Sequence, residues 1–294
     1  MNGIRLNVIS YFQSKFFFMQ IENQYGITER IIELITNLKE LDEALQKGKR
    51  QVDLCKVEFV TPLSILPLAV FASHNNIKIT CSEEDDNVLT YLDTIGFPYG
   101  FTKIPNETKR YLPMTRLPPI ENNTILGKYE DLILGKAGSG KYASSFKFSL
   151  KYLTSELVNN VNEHANIDHY WLLAQYWEKP NKTCEIVIVD CGIGYKQSYE
   201  GTDYEVATDK DAIINALEGK SSKKERLRGV GIPSIAKMFI NGYGGKLIIM
   251  SGKSVVYDKQ GQRKTLKMKS YWQGSLVGIN FNLKTINPYK YLEP

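Results

Sequence analysis

Ser155-Glu156-Leu157-Val158-Asn159-Asn160-Val161-Asn162-Glu163-His164-Ala165 is the stretch on which the reading of this chain turns. Leu153, Leu157, Val161 and Ala165 recur every four residues and so line one apolar stripe of a helix. Glu156 and Asn160 share that spacing, which stacks a carboxylate and a carboxamide one turn apart on one face. Such a pair can hold a metal-bound phosphate chain and a water. Taken alone it reads as two residues of a solvated helix face, so what changes that reading lies downstream.

Working outward toward the C-terminus, Trp171–Tyr176 reads as a strand, and Pro180-Asn181 as a turn. Cys184–Val189 is nearly all apolar, as a buried strand is, and runs into Asp190-Cys191-Gly192-Ile193-Gly194. A strand-end carboxylate followed by glycines can accept a ligand hydrogen bond while the backbone passes close by. In the segment 195–228, Asp211–Leu217 reads as a short helix and Gly219-Lys220-Ser221-Ser222-Lys223-Lys224 as a basic loop. Arg228-Gly229-Val230-Gly231-Ile232 opens a helix that continues to Ile240, and glycine amides at such a start suit an anion. Gly242, Gly244 and Gly245 turn the chain into a strand at Lys246–Ser251. A final strand pair is expected near 254–257 and 274–283.

The ordered set is specific: Glu-Leu-Val-x-Asn-x-x-x-His-Ala, Asp-x-Gly-x-Gly, a basic lid, Gly-x-Gly opening a helix, then Gly-Ser before the last strand. Residues 144–284 therefore resemble the GHKL ATP-binding family of gyrase, the heat-shock chaperones, histidine kinases and MutL, and within it the anti-sigma-factor serine kinases. The resemblance implies a C-terminal α/β sandwich over 136–294, with a mixed, largely antiparallel sheet and helices on one face. It implies ATP and Mg2+ as cofactors. Asn160 would coordinate the magnesium, an oxygen ligand suited to that hard cation. Glu156 would be the catalytic base that orients a water or an acceptor hydroxyl. Asp190 would accept from the adenine amino group, Gly192 and Gly194 would admit the ring, and Ser275 would support Asp190. Gly229 and Gly231 would present amides to the phosphates, and Lys220 would reach them from the lid. The chain departs from the family where Asn159 and Val161 flank Asn160, since small residues usually follow that Asn. His164 matches the family letter and is read as structural or catalytic.

Upstream, Tyr11 and Phe16-Phe17-Phe18 suggest one or two strands within 4–22, and Thr28 caps a helix over 29–46 that ends at Gly48. A strand at 52–60, a helix at 62–74 opened by Thr61-Pro62, a strand at 77–81 and a helix at 85–95 follow. Strand–helix alternation with short links argues a small α/β layer. The run Val52–Thr80 resembles the STAS domains, which include anti-sigma-factor antagonists, and residues 1–105 are expected to form such a domain. Signalling members carry a phosphorylatable Ser after an Asp at the strand-to-helix turn; here Thr61 stands near the Asp position and Pro62 near the Ser. A docking or scaffold role is expected, with Thr61 or Ser64 as alternative phosphate acceptors. Residues 106–135 read as a connector, because Pro113, Pro118 and Pro119 forbid a long helix there.

One false lead competes. Gly135-Lys136-Ala137-Gly138-Ser139-Gly140-Lys141 fits a phosphate-cradling loop, but Tyr142 stands where that motif needs Ser or Thr for magnesium. In that alternative Lys141 binds ATP and Asp190 holds the metal.

Composition bounds the function classes. With 294 residues about two domains are expected, and 43% hydrophobic residues suffice for a core. A net charge of +5 permits a phosphate-bearing ligand without demanding nucleic acid, which is disfavoured as a partner. The four cysteines show no C-x-x-C spacing, which fits a reduced, cytoplasmic home with neither zinc nor a redox pair. The most apolar stretch, 59–72, is too short to span a bilayer and contains Pro62 and Pro67, so no membrane association is expected. Three functions remain: a partner-directed serine/threonine kinase or switch acting on a regulatory protein, a conformational ATPase that remodels a partner, or a non-catalytic nucleotide-dependent interaction module. A homodimer is compatible with all three. A sensor histidine kinase is disfavoured, since none of the 3 histidines lies in a long dimerising helix before the ATP domain.

Overall fold

Residues 4–7, 27–55, 60–81, 86–102, 111–118, 143–164, 167–178, 182–220 and 231–292, with 127, 131 and 134, are described by the computed structural model. The expected strand residues 8–22 and 56–59, the loop Gly135–Tyr142, Ala165, the lid residues 221–228 and Gly229 lie outside them.

The first layer runs β1 (Ile4–Asn7), α1 (Ile27–Gln46), β2 (Gln51–Cys55), α2 (Pro62–His74), β3 (Lys78–Cys81) and α3 (Asp86–Thr94). Its three strands are parallel in the order β1-β2-β3. Successive right-handed crossovers that advance in one direction put α1 and α2 on one face of this small sheet. α1 buries Ile31, Leu34, Leu38 and Leu41, its predicted helical stripe, and stops at Gly48 (φ 72°). α2 starts at a capping box: the Thr61 hydroxyl accepts from the Ser64 N–H, the Ser64 hydroxyl accepts from the Thr61 N–H, and Pro62 sits at the first helical position. Both hydroxyls are thus committed to the cap, and Thr61 is buried.

The second layer holds β4 (Tyr111–Leu117), α4 (Ala143–His164), β5 (Tyr170–Trp177), β6 (Thr183–Asp190), α5 (Gly194–Ser198), α6 (Asp209–Leu217), α7 (Gly231–Ala236), β7 (Lys246–Lys259) and β8 (Gln262–Asn282). α7 widens into a π-type turn at Lys237–Gly242. The sheet order is β4-β5-β6-β8-β7, every pair antiparallel. β4 arises inside the proline-rich stretch read as a connector. Its Pro113 falls in the irregular stretch between Leu112 and Thr115, where strand register shifts and the missing N–H of proline is tolerated.

Helices cover both faces of this five-stranded sheet, correcting the expectation of helices on one face. On one side α4 lays Phe146, Leu150, Leu153, Leu157 and Val161 against Leu172, Ile186, Ile188 and Ile279, with Ile235 and Phe239 alongside. On the other, Ile31, Leu34, Leu63 and Leu66 of α1 and α2 pack on Trp171, Leu173, Val187, Val189 and Met250. α2 is therefore sandwiched between two sheets, which is why it is buried nearly all round. Burial on both faces also accounts for β6 being buried at every residue.

One buried charge ties the layers together. Glu185 of β6 is 1% exposed; it receives Arg30 of α1 at 2.6 Å, the Leu63 N–H at the start of α2 at 3.0 Å, and Asn280 Nδ2 of β8 at 3.1 Å. Burial by itself raises the Glu185 pKa, but the Arg30 guanidinium and these hydrogen bonds outweigh it and hold the carboxyl below its ordinary value.

Candidate functional site

Side chains alternate along β6, so Asp190 shares the α4-facing side with Ile186 and Ile188. Antiparallel register sets Asp190 directly opposite Ser275 of β8. The Asp190 carboxylate is 3% exposed. Its Oδ1 accepts from the Gly192 N–H at 2.8 Å and the Ser275 N–H at 3.3 Å, and its Oδ2 accepts from the Ser275 hydroxyl. A carboxylate has about four acceptor positions. Three are used, leaving one on Oδ2 for a ligand donor. Burial raises the pKa of Asp190, opposed by the Ser275 hydroxyl and the Gly192 and Ser275 amides.

The backbone around Asp190 is closely interlocked. Gly274 has φ 85°, and a Cβ there would overlap the Asp190 carbonyl oxygen and come within 2.6 Å of the Gly192 nitrogen. Gly194 has φ 75°, and its Cβ would meet Ser251 Oγ at 2.7 Å. Ser251 Oγ donates to the Gly274 carbonyl at 2.8 Å and accepts from the Tyr195 N–H at 3.1 Å, joining β7, β8 and the start of α5. Gln273 donates its side-chain amide to the Gly192 carbonyl. Ser251 and Gln273 were absent from the sequence expectations. Nothing local marks them, because their roles depend on the register shifts of the β7–β8 pair between Ser251 and Ser254.

α4 packs against both α5 and α7. Glu156 and Asn160 are half-buried beside the apolar stripe. A Cβ on Gly231 would overlap Glu156 Oε2, so the start of α7 approaches this carboxylate as only glycine allows. Tyr152, one turn before Glu156, hydrogen-bonds Ser234 of α7; burial raises its pKa, that bond lowers it, and the Glu156 charge raises it. Asn160 Nδ2 is a buried donor without a hydrogen-bond partner among the described residues. An orphaned carboxamide fits a phosphate oxygen, or, with oxygen and nitrogen exchanged, a magnesium ion. No group of three or more His, Cys, Asp or Glu that could hold a metal occurs among the described residues. Magnesium makes few protein contacts and completes its shell with waters and phosphates, so this donor set fits it.

The fold thus brings Glu156 to Gly231, and Asp190 to Gly192, Gly194 and Ser275, on one side of one sheet. Lys220 is placed otherwise. Its ammonium bonds Asn215 Oδ1 at 3.0 Å and Glu218 at 2.9 Å at the end of α6, while its carbonyl accepts from Tyr199. No helix among the described residues is long and apolar enough to cross a membrane. Against models of known protein families the chain finds no match, and no curated protein matches it.

Proposed function

We propose that the chain binds Mg-ATP in the manner of the GHKL family and acts as a partner-directed serine/threonine kinase or switch. The observation that carries this reading is the approach of Gly231 to Glu156 on the same side of the sheet as the interlocked Asp190–Gly192–Ser275 group. These residues come from four separate motifs, and the fold gathers them into two groups on one side of the sheet.

Bound Mg-ATP would supply the phosphoryl group and the cation that neutralises it. Asp190 accepts a hydrogen bond from the adenine amino group at its remaining Oδ2 position, while Ser275 fixes the carboxylate orientation. The turn at Gly192 would pass beside the ring, whereas Gly194, whose Cβ direction is filled by Ser251 and Gly274, holds that turn against β7 and β8. Asn160 would hold the metal or a phosphate oxygen through its carboxamide, whose Nδ2 has no partner among the described residues. Glu156 takes the proton of a water or acceptor hydroxyl as attack begins, and Gly231 keeps room for its carboxylate. Lys220 would have to leave Asn215 and Glu218 to reach a phosphate. The layer of residues 1–105, STAS-like in this reading, serves as the docking module for a regulatory protein.

The test follows the γ-phosphate of labelled Mg-ATP on purified protein, with Glu156→Ala as control. Release or transfer that disappears in the variant supports the reading. Release to water alone would favour a conformational ATPase, and transfer only on adding a protein acceptor would favour the kinase. Turnover unchanged by Glu156→Ala would overturn the assignment of the base.

A further inference from the structure

β8 outruns its neighbour. Pairing with β6 stops at Asp190 opposite Ser275, yet β8 begins at Gln262. Gln262–Lys267 and Trp272 pair with β7 on one side, Met268–Tyr271 bulge between them, and the other side has no strand among the described residues. Their backbone groups also enter no loop or turn hydrogen bond among the described residues. Along this edge Met268, Ser270 and Trp272 are buried, whereas Lys267, Lys269, Tyr271 and Gln273 are exposed on the opposite face. The arm formed by residues 252–273 carries Lys253, Lys259, Arg263, Lys264, Lys267 and Lys269 against a single carboxylate, Asp258. Asp258 is engaged by Arg263 at 3.5 Å.

We propose that the open edge of β8 over residues 262–273 binds an extended, acidic polypeptide segment of a partner protein as an added strand. An unpaired edge offers a row of N–H and C=O groups that only another backbone can match. The exposed lysines choose the partner. A strand laid beside β8 brings its side chains up to Lys267, at the end of the regular pairing, and to Lys269 in the bulge beyond it, so carboxylates on that strand are favoured. A second copy of this chain would set the same lysines against each other, and like charges across strands destabilise pairing. A nucleic acid would use the cations and leave the backbone edge unmatched. The inference stands on this arm alone and does not require that Asp190 bind a nucleotide.

The test uses a fluorescein-labelled peptide of about ten residues alternating Glu and Val, titrated with the full chain and read by anisotropy. Two controls separate charge from strand pairing: the K267E/K269E variant, whose exposed sites leave the fold intact by circular dichroism, and the same peptide N-methylated at alternate residues. Saturable binding that weakens roughly tenfold in each control is expected. The proposal is overturned if the peptide does not bind, if either control leaves affinity unchanged, or if a single-stranded oligothymidylate of matching length binds more tightly.

Discussion

Asp190, Gly274 and Gly231 each make a distinct demand on one atom. Asp190→Asn keeps an Oδ1 acceptor for the Gly192 and Ser275 amides but offers a ligand a donor where Oδ2 stood. The variant is expected to fold while losing at least about tenfold in Mg-ATP affinity, since a hydrogen bond to a charged group contributes roughly 1.5–3 kcal/mol. Gly274→Ala places a methyl group into the Asp190 carbonyl at φ 85°, where the overlapping atom is backbone and cannot move aside. It should cost about 1–3 kcal/mol from overpacking plus about 1–2 kcal/mol for the left-handed backbone, read by urea denaturation. Gly231→Ala meets instead the far end of a long side chain, Glu156 Oε2. Its stability should change little while phosphate turnover falls toward that of Glu156→Ala. If turnover survives, the approach of Gly231 to Glu156 does not matter to the chemistry. Asp190, Gly192 and Gly194 were legible in the sequence because their spacing is local. Ser251 and Gln273 were not, because they reach the site only through register shifts that no residue pattern declares.

At the scale of elements, the helix at Ser155 was legible because one stripe, Leu153, Leu157 and Val161, faces one core. The long hairpin was legible in part: strands were expected at 246–251, 254–257 and 274–283, but not across 262–273, where Met268, Ser270 and Trp272 alternate with exposed partners. Covering the second face of the sheet with α1 and α2 was illegible for a different reason: Glu185 looks like an interruption in an apolar strand until Arg30 and Leu63 meet it. Glu185→Ala should cost about 3–5 kcal/mol, because Arg30, the Leu63 N–H and Asn280 lose a buried partner together. The pH dependence has a definite sign. The folded-state pKa of Glu185 is depressed, so its contribution is present above its ordinary value of 4.5 and is lost as pH falls through the folded value. Urea midpoints should drop in acid more steeply for the parent protein than for Glu185→Gln. Parallel slopes would contradict the bridging role.

The whole molecule has a core on each side of the five-stranded sheet, and the α1–α2 side draws residues from both layers. Without residues 1–105, the apolar surface of Leu173, Val187, Val189, Ile248 and Met250 would meet water. Tryptophan fluorescence and far-ultraviolet circular dichroism should therefore report one coincident unfolding transition. A fragment starting at residue 106 should bind hydrophobic dyes and aggregate; a fragment as soluble and cooperative as the full chain would mean that the shared core contributes little. Against this scaffold the central claim is that the Asp190 end of β6 and the Glu156 helix form one Mg-ATP site. Calorimetric titration of ATP, with magnesium, into the full chain and into folded Asp190→Asn tests it most directly. Saturable binding by the parent, weakened at least about tenfold in the variant, is expected; no binding by the parent, or equal affinity for both proteins, would contradict it.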